Sequence, residues 1–211
     1  MSKRNLGSKI KLSSYDDMFG VNVAENENVN EENQIKDVAL SELHPFKNHP
    51  FKVIDDEKME EMVESVKQYG ILVPAIVRER AEGGYELISG HRRHHAAVLA
   101  GLEEMPVIVK KCDDDESTVI MVDANIQRED ISVSEKAKAY RMKYDAMKHQ
   151  GASGGISLAE MSESAGESRK TIQRLIYLSN LTEELLELID NKKIGIAQGV
   201  DLAFISKEEQ E

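Results

Sequence analysis

The chain has 211 residues and a formal net charge of −12, with 40% hydrophobic residues, no tryptophan and one cysteine. This composition is typical of a globular protein of one or two domains, and its acidic balance argues against a protein that coats nucleic acid by bulk charge. The single cysteine excludes an intrachain disulfide. No apolar run reaches the roughly 18 residues of a membrane span, so we expect a cytoplasmic protein without a membrane contact.

The first predicted segment, residues 1–36, contains the Asn/Glu-rich stretch "NVAENENVNEENQ" and is expected to be a flexible polar arm. The first predicted helix follows a Pro-punctuated loop. Asp55 is its expected N-cap, Gly70 its C-terminal glycine, and five residues form its apolar face: Met59, Met62, Val63, Val66 and Tyr69.

Next along the chain, "PAIVRER" and "GYELIS" flank "AEGG", which predicts a β-hairpin with a Gly-Gly turn. The second strand of this hairpin runs directly into "SGHRR" and a helix that ends at Gly101. "MPVIVKK" predicts another strand, and the acidic residues that begin segment 114–127 favour a helix there. Residues 37–130 are therefore expected to form a small mixed α/β domain.

Residues 131–211 are expected to form an all-helical domain. Ser132 with Glu135, and Ser157 with Glu160, have the spacing of capping boxes at two helix starts. "SLAEMSESAGESRKTIQRLIYL" predicts a helix-turn-helix, with Ile172, Leu175 and Ile176 facing inward. Its second helix carries three cations and no acid, which favours contact with DNA over an ordinary solvated face. The predicted DNA-binding residues are Ser168, Arg169, Lys170, Thr171, Gln173 and Arg174.

The "SGHRR" turn is a candidate anion site. A strand that passes into a helix at Gly90 leaves backbone N–H groups unpaired at the helix start, and Arg92 and Arg93 add positive charge there. Ion pairing of these arginines with nearby carboxylates is the alternative. The spacing of His91 and His95 would suit a metal, but no third ligand is evident.

Taken in chain order, these motifs resemble the ParB partition family, the DNA-clamp proteins of bacterial chromosomes and plasmids, from about Leu40 to the end of the chain. "GHRR" matches the family's Gly-Glu-Arg-Arg phosphate motif, and the family-like "AAVLAGLEEMPVIV" follows it. "ANIQRED", from Ala124 to Asp130, matches Glu-Asn-x-Gln-Arg. The helix-turn-helix falls where the family places its centromere-binding module.

The resemblance implies an α+β fold, in which a mixed α/β ParB/sulfiredoxin-like domain precedes a helix-turn-helix domain. It also implies that CTP, with Mg²⁺ as a further expected ligand, binds at Gly90, His91, Arg92, Arg93, Asn125 and Arg128. His91 and Ala124 replace two glutamates of the family motifs, and His49, Pro50 and Phe51 replace an upstream Gln-Pro-Arg. We therefore expect CTP binding with CTPase activity that is weak at most.

The resemblance implies three partners: double-stranded DNA with a specific, palindromic site, a ParA-type ATPase, and a second copy of the chain bound through the N-terminal domain. It also implies that the protein is associated with the nucleoid or a plasmid. The sequence stops at "ISKEEQE", and we expect it to lack the C-terminal dimerisation domain usual in the family. One alternative function is a ParB-derived transcriptional regulator. Another is a nucleotide-dependent enzyme of the ParB/sulfiredoxin fold, although the sulfiredoxin reaction needs a cysteine where this turn has His91.

Overall fold

The computed structural model describes residues 34–128, 130–151 and 154–210. Within the last range, it describes residues 154–157 by their backbone alone. Its first half is a five-stranded sheet with three helices. The strands are β1 (Ile35–Ala39), β2 (Leu43–His44), β3 (Ala75–Glu79), β4 (Tyr85–Ser89) and β5 (Glu104–Val109), and the helices are α1 (Glu57–Tyr69), α2 (His91–Ala100) and α3 (Asp114–Asp123). A short 3₁₀ helix, Leu40–Glu42, joins β1 to β2.

The sheet is mixed, with the strand order β1-β5-β3-β4-β2. β3 and β4 form the predicted antiparallel hairpin, whose turn contains Gly83 and Gly84 at positive φ. β5 returns parallel to β3 after α2, and β1 pairs antiparallel with β5 at one edge. The strand-to-helix turn at residue 90 therefore lies at the end of an internal strand.

Helix α1 corrects two details of the sequence prediction. Asp56, not Asp55, is the N-cap: its backbone is extended and its side chain accepts a hydrogen bond from the Met59 amide. Asp55 instead contacts His95 through a 2.6 Å Oδ1–Nε2 pair. Tyr69 was expected on the buried face but is 61% exposed, because it lies in the last turn, beyond the contact between α1 and α2.

The second half is helical, as predicted. Its helices are α4 (Val133–His149), α5 (Gly154–Ala165), α6 (Arg169–Leu178), α7 (Glu183–Asp190), α8 (Ile196–Leu202) and α9 (Lys207–Gln210). The capping box of Ser132 and Glu135 begins α4 as predicted. The predicted start at Ser157 is wrong, because α5 already begins at Gly154 and Ser157 lies within its first turn.

The largest hydrophobic core contains residues from both halves. Phe46, Phe51 and Ile88 of the α/β half lie in the same cluster of buried side chains as Tyr140 and Ile172 of the helical half. One smaller cluster of buried hydrophobic side chains lies on the sheet, and another lies between α1 and α2. The two halves therefore pack on a shared core, which fixes the position of the helices relative to the sheet.

The predicted arm, residues 1–36, lies mostly outside the described residues. Its boundary is corrected at Ile35 and Lys36, which already pair with Ile108 and Val107 in the sheet. Across the described parts of the chain, no helix is long and apolar enough to span a membrane.

Candidate functional site

The turn between β4 and α2 depends on a glycine. Gly90 has φ 103° and ψ 18°, a conformation that side chains rarely adopt. A Cβ at this position would lie 2.9 Å from the Cβ of Ala75, which is fully buried in β3. The turn thus packs directly on the neighbouring strand, and the first N–H groups of α2 have no acceptor within the helix.

Two arginines beside this turn are held in place by the protein itself. Arg92, whose side chain is 17% exposed, forms an ion pair with Asp56 at the start of α1, with 3.3 Å between Nη2 and Oδ1. Arg93 Nη1 donates to the carbonyl oxygens of Val73 and, at 2.8 Å, of Pro74. The alternative interpretation, ion pairing with a nearby carboxylate, thus holds for Arg92 in this structure.

Two histidines stack in the wall of the same region. The rings of His49 and His91 have centroids 3.8 Å apart and an angle of 32° between their planes. The Phe46 amide donates to His91 Nε2 at 3.3 Å. Burial, with smaller contributions from His49 and His94, lowers the pKa of His91 to about 3. His91 is therefore a neutral acceptor near neutral pH, and its Nε2 is already occupied.

These groups line one open cleft of about 220 Å³ between the α/β core and the segment after α3. Asn125 Nδ2 donates to the Met121 carbonyl at 2.8 Å, and Arg128 pairs with Asp130 at 3.3 Å. The structure thus brings together all six residues predicted to bind a cofactor. The complete lining is His49, Lys52, Val53, Met62, Ser89, Gly90, His91, Arg92, Arg93, Ala124, Asn125 and Arg128.

Three lining residues were missed by the sequence analysis. Lys52 and Val53 lie in the loop before α1, and Met62 was assigned only to the apolar face of that helix. No local pattern marks them, because they reach the cleft through the packing of α1 against α2. The Lys52 amide, which donates to Glu135 Oε1 at 2.6 Å, fixes this loop to α4.

The cleft offers a poor site for a divalent cation. Its lining residues include four cationic side chains and no carboxylate, whereas Mg²⁺ prefers carboxylate and other oxygen ligands. Within the described ranges, no group of three or more His, Cys, Asp and Glu side chains could hold a metal ion. The donor set therefore fits an anion and does not fit a protein-bound Mg²⁺.

The predicted helix-turn-helix is formed by α5 and α6. Gly166, at φ 68°, ends the first helix, and Ser168 Oγ caps the second by accepting from the Thr171 amide at 3.1 Å. On α6, Ile172 and Leu175 are buried. The six predicted DNA-binding residues are all exposed: Ser168, Arg169, Lys170, Thr171, Gln173 and Arg174.

A buried lysine connects the cleft with the helix-turn-helix. Lys143 of α4 is 4% exposed, and its Nζ donates to Asp123 Oδ1 and, at 3.1 Å, to Ser164 Oγ. Asp123 immediately precedes Ala124 in the cleft, and Ser164 lies in the last turn of α5. The C-terminal end of α3, next to the cleft, is thus linked to the helix-turn-helix through Lys143.

Comparison with known proteins gives one family and a consistent set of relatives. The model of the ParB N-terminal domain matches residues 24–126. A probable chromosome-partitioning protein ParB of Vibrio cholerae is 30% identical over 179 residues, which are 85% of this chain and 59% of that protein. A nucleoid occlusion protein of Listeria monocytogenes is 28% identical over 178 residues, 84% of this chain and 60% of that protein.

Solved structures agree on the fold. A C-terminally truncated chromosome-partitioning protein ParB of Caulobacter crescentus, complexed to the centromeric parS site, superposes with a TM-score of 0.55 at 23% identity. The match covers 81% of this chain and 86% of that one. The predicted fold class, a mixed α/β domain followed by a helical region, is confirmed. The chain spans about 60% of the length of the curated relatives named above.

Proposed function

Because the chain belongs to the ParB family, we propose that it is a site-specific DNA-binding protein of the partition type whose cleft binds CTP. The observation that carries the DNA-binding part of this proposal is the charge of α6. Arg169, Lys170 and Arg174 are exposed on a helix without an acidic residue, in a chain whose net charge is −12. Such a local basic surface gives an acidic protein one face that can approach DNA phosphates.

The placement of α6 supports its role as the recognition helix. Its apolar side is buried on α4 and α5, so its opposite side is the one that can enter a major groove. Gln173 and Arg174 are side chains that can form hydrogen bonds with base edges, whereas Lys170 acts mainly through charge on phosphates. Two copies bound to one DNA would require a palindromic site.

The test is binding to a site selected from random double-stranded DNA, measured by fluorescence anisotropy over a range of salt. Lys170→Ala and Arg174→Ala should each weaken binding, and loss of one phosphate contact should reduce the salt slope by about 0.9. Lys67→Ala, on the exposed side of α1, is the matched control and should leave affinity unchanged. Equal affinity of all four proteins would overturn the assignment of α6.

For CTP, the support is the anion-binding character of the cleft. The start of α2 presents N–H groups and the positive end of the helix dipole, next to Arg92, Arg93, Arg128 and Lys52. A triphosphate would compete with Asp56 for Arg92. When bound, the nucleotide supplies phosphate charge that these side chains neutralise, while Asn125 is held by its hydrogen bond to Met121.

We propose binding with little hydrolysis. A water that attacks a phosphate needs an orienting or basic group and charge neutralisation, which are commonly supplied by a carboxylate and a metal ion. His91 and Ala124 supply neither at the positions where the family motifs have glutamate. No Mg²⁺ site built by the protein is part of this proposal, because the cleft residues do not fit one.

Calorimetry with CTP, GTP and UTP, with and without the selected DNA, tests the nucleotide part. Arg92→Ala should abolish or strongly reduce the heat of CTP binding. Arg80→Ala, which removes an arginine paired with Glu82 in the hairpin turn, should not change it. Lack of CTP binding by the wild-type protein under both conditions would refute CTP as the ligand.

A related role in nucleoid occlusion or transcriptional regulation is a second candidate, favoured by the Listeria relative, which aligns over nearly the same share of the chain. Both roles place the protein in the cytoplasm on the nucleoid or a plasmid, and partition would add a ParA-type ATPase and self-association through the N-terminal domain. Chromatin immunoprecipitation separates them: one cluster of sites supports partition, and dispersed sites support regulation.

A further inference from the structure

His49 has one ring nitrogen that the protein leaves unsatisfied. Its Nδ1 lies 2.8 Å from the Phe51 carbonyl oxygen, which can only accept, so Nδ1 carries a proton and donates. Its Nε2 is buried and has no hydrogen-bond partner among the described residues. Because Nδ1 is already committed, Nε2 is the atom whose protonation can change. Since His49 also lines the cleft, this change would occur at the ligand site.

The surroundings of His49 keep it neutral in the free protein. Burial, followed by the nearby Arg128 cation, lowers its pKa, against opposing contributions from the Phe51 carbonyl and Glu135. The stacked His91 ring is itself neutral and donates no hydrogen bond to it. The other charged groups that line the cleft are Lys52, Arg92 and Arg93, all cations. Apart from the influence of Glu135, His49 therefore faces a cleft lining without a negative charge.

We infer that His49 takes up a proton when an anionic ligand enters the cleft, so that its Nε2–H donates to the ligand and binding becomes dependent on pH. The inference rests on the proposed function, because the ligand is the nucleotide of the same cleft. The proton comes from solvent and no covalent bond changes. A phosphate oxygen would offset Arg128 and accept from Nε2, and both effects favour the charged imidazole.

The sign of the pH dependence follows from linkage. If the ligand-bound protein holds the His49 proton more tightly than the free protein, binding strengthens as pH falls through the pKa of the bound form. The change reaches at most about tenfold in Kd per pH unit between the free and bound pKa values, where one full proton is taken up. A permanent cation, such as arginine, at this position would give no such dependence.

Isothermal titration calorimetry of the full chain with CTP, in buffers of different ionisation enthalpy and at several pH values, counts the protons taken up. We compare wild-type protein with His49→Gln. A glutamine keeps a polar group near Nε2 but cannot titrate. His149→Gln is the control, because His149 is 71% exposed on α4 and lies outside the cleft. The titration of the phosphates themselves, with a pKa of about 6, is common to all three proteins and cancels in the difference.

We expect the wild type and His149→Gln to take up the same number of protons on binding CTP. His49→Gln should take up fewer, and the difference should be a measurable fraction of one proton. The ¹⁵N shift of His49 Nε2 should move to the protonated range when CTP is added. Equal uptake in all three proteins, or a neutral His49 in the complex, overturns the inference while CTP binding stands. If CTP does not bind at any pH, the nucleotide part of the proposed function fails, and this inference fails with it.

Discussion

Replacing Gly90 by alanine tests the most constrained point of the cleft. At φ 103° an alanine is strained, which costs about 1–3 kcal/mol. Its Cβ would also lie 2.9 Å from the Cβ of buried Ala75, and overpacking of this kind costs about 1–3 kcal/mol. We therefore expect Gly90→Ala to lose about 2–6 kcal/mol of unfolding free energy, out of the roughly 5–15 kcal/mol of a typical domain.

Gly101→Ala is the matched control at the other end of the same helix. Gly101 has φ 77° and ψ 26°, but a Cβ there would meet nothing within 4 Å. It should lose only the cost of the left-handed backbone, about 1–2 kcal/mol. The excess loss at Gly90 therefore combines its contact with Ala75 and the greater backbone strain at φ 103°.

Urea unfolding followed by circular dichroism gives both values, and a double-mutant cycle isolates the contact. Ala75→Gly removes the opposing Cβ, so the combination with Gly90→Ala should be more stable than the sum of the single changes predicts, by about 0.5–3 kcal/mol. The remaining 3.3 Å contact with the Ala75 Cα limits this rescue. Strict additivity, or equal losses at Gly90 and Gly101, would refute the packing argument.

Three further changes test other parts of the molecule. The pKa of His91, about 3 when folded and near 6.5 when unfolded, means that stability is complete above pH 6.5 and declines toward pH 3. We expect a slope of up to about 1.4 kcal/mol per pH unit, which His91→Gln should flatten in urea midpoints measured against pH. Lys143→Ala removes a buried cation whose partner carboxylate, on Asp123, is 42% exposed. It should lower the free energy of unfolding by about 1–3 kcal/mol, which is less than the loss of a fully buried pair would cost. The control Lys148→Ala, at an exposed lysine, should change the free energy of unfolding by no more than about 0.5 kcal/mol in the same assay. Ser168→Ala removes the N-cap of α6 and should cost about 1 kcal/mol by urea unfolding, whereas Ser168→Asp should retain stability.

Local chemistry was sufficient to predict many of the elements. The Gly-Gly hairpin, the turn at Gly90 and the cap at Ser132 depend on residues close together in sequence, and all three are present. The error at Asp55 has a tertiary cause. Two adjacent aspartates could each cap α1, and the contact of Asp55 with His95, distant in sequence, decides which one does.

The candidate cleft could be predicted only in part. Motifs placed Gly90, Arg92 and Asn125 near a ligand, because each belongs to a recognisable short pattern. Lys52 and Met62 reach the cleft through the packing of a loop and a helix, which periodicity alone does not reveal. Their binding roles, like those of the other lining residues, stay predictions until ligand binding is measured.

The shared core has a consequence for how the chain unfolds. Phe46 and Phe51, which precede α1, are buried in the same cluster as Leu178 and Ile189 of the helical half. A chain cut near residue 130 would leave both aromatic rings without much of their covering, even though the predicted domain boundary lies there. Thermal melting of residues 34–210 should therefore be a single cooperative transition, and a fragment that ends at residue 130 should bind hydrophobic dyes such as ANS.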